Sequence, residues 1–219
     1  MQAHVKASPL LLAFLLCLAG AGAASAQPAA APLTPLPGQE SLAPAINAHT
    51  TIEFTTSAGT LRMEVYPAAA PNAVQRFVEL VESGFYDGTP ISRVVPGFVA
   101  QFGINWREPH KAWEDKPFDD DPSLFMLTRG TLAFAKSGPD SNSTQVFINY
   151  DDNSHLTARM YNFTAFGRIV QGMDVVDSFV EVGEPGLGLD QDRLWKDGEA
   201  YLLELTVKPT MILAAKVVR

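Results

Sequence analysis

The sequence predicts a mainly β protein, a closed antiparallel barrel with its ends covered by two helices. Three observations lead there. Short strand-like runs dominate from residue 49 to the C-terminus, Pro and Gly turns separate them, and only two stretches carry helical spacing. So many short strands need an arrangement without long open edges, and closing the sheet on itself supplies one.

The elements follow in order. "HTTIEFTTSAGTLRMEVYP" (49–67) alternates apolar and polar residues on both sides of Ser57-Ala58-Gly59. Ile52 and Phe54 precede that turn and Leu61, Met63 and Val65 follow it, the pattern of a β-hairpin. "APNAVQRFVELVESG" (70–84) changes period. Val74, Phe77, Val78 and Val81 fall at i, i+3, i+4 and i+7, Pro71 suits a first helical turn and Gly84 a stop. Strand candidates then recur at Ile91–Val95, Phe98–Phe102, Gly130–Ala135, Gln145–Asn149 and Thr164–Ile169. "QGMDVVDSF" (171–179) is a second short helix and "MILAAKVV" (211–218) a closing strand. Trp106 and Trp113 lie in a charged loop (105–121) and are expected to pack it onto the barrel.

Two segments precede this domain. "LLLAFLLCL" (10–18), with Lys6 before it and "ASA" (24–26) after it, reads as a signal peptide over residues 1–26. Residues 27–49 begin Pro- and Ala-rich without apolar period and read as a flexible tether contributing no core, so the folded domain is expected over 50–219. The single cysteine, Cys17, lies in the signal segment, so a mature chain carries no disulfide. The expected location is the periplasm, or full secretion, with no stable membrane insertion after cleavage. A net charge of -8 without a basic cluster argues against nucleic-acid binding.

Several other signals are weak. The acidic runs at 118–122 and 150–152 lack the spacing of a calcium loop and read as solvated. His4, His49, His110 and His155 have no zinc spacing. The glycine-rich "GEPGLGLDQD" (183–192) opens no strand-to-helix phosphate loop.

The string "ISRVVPGFVAQFG" (91–103) carries the chemistry. Arg93 is a permanent cation inside an otherwise apolar strand, followed by Phe98 and Gln101. Together with "RGTLAFAKSGPDSNSTQVFIN" (129–149) and "FTAFGRIVQGMDVVDSF" (163–179), it resembles the cyclophilins, the cyclosporin-type peptidyl-prolyl isomerases. The resemblance runs from about Thr50 onward and implies an eight-stranded antiparallel β-barrel with two capping helices. It also implies a monomeric enzyme, without cofactor, acting on proline-containing polypeptides. By that resemblance Arg93 is catalytic, and Phe98, Val99, Phe147, Leu156 and Phe163 line a proline pocket. Gln101 would bond the substrate backbone, with Ala135 and Asn142 along the peptide groove.

Some positions depart from the family pattern. Ile91-Ser92 replaces a common Phe-His, Val99 a common methionine, and Phe102, Ile104 and Asn105 a Gly-Gly-Asp type continuation. Phe163 stands where many members have histidine. His155 takes the place of a tryptophan that bonds cyclosporin A, so the drug is expected to bind weakly. The altered Ile91, Phe102 and Ile104, taken as rim residues, keep open an alternative: a peptide-binding module or holdase chaperone with weak or no isomerase activity.

Overall fold

The computed structural model describes residues 32–41, 48–158 and 160–218. The expected signal segment and residues 27–31 and 42–47 of the tether lie outside them. Among the described residues, eight antiparallel strands close a barrel in the order β1-β2-β7-β5-β6-β4-β3-β8. The strands are β1 (Thr50–Thr56), β2 (Gly59–Val65), β3 (Thr89–Val95), β4 (Val99–Phe102), β5 (Thr131–Phe134), β6 (Val146–Asn149), β7 (Gly167–Gln171) and β8 (Met211–Val218). The helices are α1 (Pro71–Glu82), α2 (Met173–Asp177), α3 (Gln191–Asp197) and α4 (Glu199–Glu204). No helix among the described residues is long and apolar enough to cross a membrane.

Alternation sets the first hairpin. Ile52 pairs with Met63 and Phe54 with Leu61, and all four are buried, while Glu53 pairs with Arg62 on the other face. The hairpin turns where the Thr56 hydroxyl accepts the backbone N–H groups of Ala58 and Gly59. α1 lays Ala73, Val74, Phe77, Leu80 and Val81 into the core.

β4, β5 and β6 are buried along their whole length, and their alternation divides two cores. Ala100, Phe102, Leu132, Phe134, Val146 and Ile148 join the barrel interior, where Phe77 and Phe166 meet at 5.1 Å between ring centroids. Val99, Ala133 and Phe147 face outward into a second cluster with Tyr66, Phe125, Leu127 and Ala165. The functional site grows on that second face.

Four sequence expectations need correction. Residues 27–49 were expected to contribute no core, yet 32–41 lie against the barrel. The Leu36 N–H donates to Leu124 O at 2.9 Å, the Met126 N–H donates to Thr34 O at 2.8 Å, and Leu33 is only 2% exposed in the cluster that holds Val99 and Phe147. Backbone pairing with 124–126 carries one leucine into apolar surroundings, a contact that local composition does not encode. The acidic run 118–122 is not simply solvated either. The Asp121 carboxylate is buried and accepts the N–H groups of Asn72 (3.2 Å) and Ala73 (2.8 Å), satisfying free donors at the start of α1. The strand expected at 164–169 begins at Gly167, and Thr164 before it instead donates its hydroxyl to Asp121 O at 2.8 Å. α3 and α4 were not expected. They pack Leu194 and Tyr201 on Ile104, Val182 and Leu189 in a third cluster, which also holds Trp106. Trp113 packs against the barrel core.

Truncating Leu33 therefore tests the N-terminal docking. Leu33→Ala should lower unfolding free energy by about 2–4 kcal/mol, as large-to-small changes in cores do. Denaturant titration reads it, and an unchanged midpoint would mean that this segment does not pack in solution.

Candidate active site

β3 should point Ile91 and Arg93 to the same face, since side chains alternate with period two. It does not. A register shift lies between them: Ile91 pairs with Phe102, but Arg93 pairs with Gln101, leaving Ser92 as the extra residue. Ile91 and Val94 enter the barrel core. Arg93 emerges beside Gln101, half-buried, on the face that carries Val99 and Phe147.

A cavity of about 240 Å³ opens there. The structure brings Arg93, Phe98, Val99, Gln101, Ala135, Phe147, Leu156 and Phe163 together around it, with Lys136 at its edge. Phe147 and Phe163 meet edge to face at 5.5 Å, forming a firm apolar corner. Phe98 sits in the turn before β4, and the Arg93 guanidinium lies 5.7 Å from its ring centroid. Ala135 follows β5, where its small side chain leaves the entrance open; its N–H donates to Gln145 O at 2.9 Å.

The Arg93 guanidinium is held from two sides. Its Nε donates to Gly186 O at 2.8 Å and its Nη1 to Gln101 Oε1 at 3.4 Å. Gln101 Nε2 donates to Gln145 Oε1 at 2.8 Å, and Gln145 Nε2 donates to Gln191 Oε1 at 3.0 Å. The three amides run head to tail, which aims the Gln101 carbonyl at Arg93. Among the described residues, no carboxylate lies within 4.0 Å of the guanidinium. Burial lowers its pKa from the ordinary value, yet an arginine remains charged at neutral pH. The arrangement is a fixed cation with spare N–H donors beside a ring-sized, mainly apolar cavity.

The sequence model for cyclophilin type peptidyl-prolyl cis-trans isomerases matches residues 51–194. The chain belongs to this family. It is 37% identical over 152 residues to a peptidyl-prolyl cis-trans isomerase of Acinetobacter baylyi, covering 66% of this chain and 79% of that protein. It is 32% identical over 174 residues to peptidyl-prolyl cis-trans isomerase A of Dickeya dadantii, covering 78% and 85%. Its fold is similar to a cyclophilin of Cryptosporidium parvum, with a TM-score of 0.59 at 18% identity, covering 78% of this chain and 99% of that one. The chain is thus a cyclophilin-type peptidyl-prolyl isomerase with an eight-stranded barrel.

Two expected site residues stand elsewhere in this cyclophilin. Asn142 does not border the cavity. It is buried, its Nδ2 donates to Asp120 Oδ1 at 2.6 Å and its carbonyl accepts the Phe118 N–H; its amide is spent on tying two loops together. His155 is exposed on the 3₁₀ turn Ser154–Thr157, next to Leu156 but outside the cavity lining. The supposed rim residues are not rim at all: Ile91 is 1%, Phe102 1% and Ile104 0% exposed. They are core substitutions.

Other contributors escaped the sequence reading. Gln145 and Gln191 are single amides whose partnership exists only in the folded chain. Lys136 is sealed against Asp120 at 2.5 Å, with side chains 6% and 15% exposed. Burial alone would raise the Asp120 carboxyl, but Lys136 and the Asn142 amide hold it below the ordinary aspartate value. The glycine-rich loop 183–190 braces Arg93. Its Leu189 N–H donates to Ser92 O at 2.8 Å. Gly188 has φ +82°, and a Cβ there would meet Ser92 O at 2.6 Å and Arg93 Cβ at 2.7 Å. Gly188→Ala must therefore displace the bulge that aims Arg93. The expected outcome is a loss of at least roughly tenfold in isomerisation rate together with a lower melting temperature. Full activity in this variant would show that the loop does not set the arginine.

Proposed function

We propose that this isomerase accelerates rotation about X–Pro bonds in folding or extended polypeptides outside the cytoplasm, with Arg93 as its electrostatic catalyst. The export reading rests on the signal-like residues 1–26. The chemical reading starts from the bond itself. A peptide C–N bond resists rotation by about 18–20 kcal/mol because the nitrogen lone pair is delocalised into the carbonyl. In X–Pro the two planar isomers are close in energy, yet exchange takes tens of seconds or longer.

Catalysis then requires no bond cleavage. It requires preference for the twisted amide, whose lone pair has returned to nitrogen. The proline ring enters the cavity between Phe98, Phe147 and Phe163, which holds that side of the bond still. A spare Arg93 N–H donates to the prolyl nitrogen once the lone pair localises and gains little in the planar ground state, which is differential stabilisation of the transition state. The low-dielectric surroundings strengthen that donation. Gln101 fixes the guanidinium and offers polar atoms to the substrate backbone.

The observation that carries this reading is the pairing of Arg93. Its partners are a backbone carbonyl and an amide, and among the described residues no carboxylate pairs with it. The burial of Ile91, Phe102 and Ile104 removes the motive for reading the protein as a holdase with a damaged site.

A protease-coupled assay on a short Ala-Pro peptide tests the activity. Acceleration proportional to protein concentration is expected; suppression of aggregation without acceleration would instead support a holdase. A second outcome concerns cyclosporin A. With His155 in place of tryptophan, binding should be weaker by roughly 1–3 kcal/mol than in tryptophan-bearing members, for lack of an indole donor and its apolar area. His155→Trp should recover affinity in titration calorimetry, and no gain would show that position 155 does not touch the drug.

A further inference from the structure

A second cavity, of about 470 Å³, adjoins the first. Lys136 and Phe163 line both. Beyond them its walls include Pro139, Met160 and Tyr161. The chain makes this arrangement deliberately. Asn162 adopts a left-handed conformation, φ +48°, which non-glycine residues other than Asn and Asp seldom do. That turn places Phe163 against Phe147 in the proline pocket and leaves Met160 80% and Tyr161 46% exposed on the far side. Lys136 Nζ donates to Asn162 O at 3.0 Å and so pins the turn.

The floor decides the chemistry. Lys136 and Asp120 neutralise each other there, and neither is open enough to attract a charged group strongly. Ser137, Gly138 and Asn162 contribute polar backbone and side-chain groups, while the Pro139 ring, the Met160 thioether and the Tyr161 ring offer the apolar walls against which a flat or bulky hydrocarbon side chain packs. Because Lys136 and Phe163 border both cavities, neighbouring side chains of one extended polypeptide are suited to fill them together. In an extended chain, side chains two residues apart face the same way, separated by roughly 7 Å.

We propose that this cavity is a second subsite, taking an aromatic or large apolar side chain located two residues from the proline of the same substrate. The proposal rests on the proline-pocket reading above and adds a sequence preference to it. It makes the enzyme favour apolar stretches, the segments a folded client would bury.

Exchange NMR on five-residue peptides tests it. The set is Ala-Ala-Pro-Ala-Ala, Phe-Ala-Pro-Ala-Ala and Ala-Ala-Pro-Ala-Phe, with Lys and Glu versions of the latter two. One Phe peptide should bind roughly tenfold tighter than the all-Ala peptide, the scale of a filled apolar subsite, while Lys and Glu give no gain. In Met160→Ala/Tyr161→Ala the Phe advantage should vanish; both side chains are exposed, and a thermal melt verifies that the variant is folded. A Phe advantage at neither position, one matched by Lys or Glu, or one that survives in the folded double variant overturns the subsite. If the all-Ala peptide is isomerised without any Phe advantage, only the subsite fails. If it is not isomerised at all, the isomerase reading fails and the subsite with it.

Discussion

One extra residue in one strand governs the site. Without the bulge at Ser92, strand alternation would send Arg93 to the face of Ile91, into the barrel core. There a guanidinium would be desolvated with no compensating charge, at a cost of several kcal/mol. The bulge turns it instead toward Gln101 and the outer face. Neighbouring features serve that placement. Loop 183–190 supplies a carbonyl to Nε and an N–H to Ser92 O, the Gln101–Gln145–Gln191 chain fixes the second side, and Gly188 permits the close approach.

The cavity beside the arginine has a similar origin in alternation. β4, β5 and β6 bury both faces, so Ala100, Leu132 and Ile148 fill the barrel while Val99, Ala133 and Phe147 build a second cluster outside it. A sheet packed on both sides gives the site a rigid back. Leu33 belongs to that outer cluster although it lies before the first strand and outside the matched family region. The N-terminal segment therefore contributes to the surroundings of the pocket.

Much of this was legible in the sequence because it is local. Period-two runs marked the strands, the i, i+3, i+4, i+7 set marked α1, and Arg93 stood out as a cation among apolar residues. The residues that line the cavity beside Arg93 came from the family resemblance. What the sequence hid is long-range. Asp121 caps a helix that starts at Pro71, Asn142 spends its amide on Asp120, and Gln191 reaches Gln145 from a helix that local pattern did not reveal. The strand bulge is invisible too, since "ISRVV" reads as ordinary alternation broken only by a charge. Ile91, Phe102 and Ile104 show the reverse error: departures from a family pattern look like changes at the rim until their burial is known.

The central claim is that Arg93 stabilises the twisted amide rather than the bound peptide or the fold. Exchange NMR on an Ala-Pro peptide, which yields rate and affinity together, tests it in Arg93→Ala and Arg93→Lys. Loss of one preorganised donor costs about 2.7–4 kcal/mol, so the isomerisation rate should fall roughly 10²–10³-fold in Arg93→Ala. Lysine should restore little, because its hydrated ammonium on a flexible stem does not reproduce a fixed fork. Peptide affinity and melting temperature should change far less, since Phe98, Phe147 and Phe163 remain. A variant that unfolds while its folded fraction keeps full activity would make Arg93 a structural residue and contradict the account.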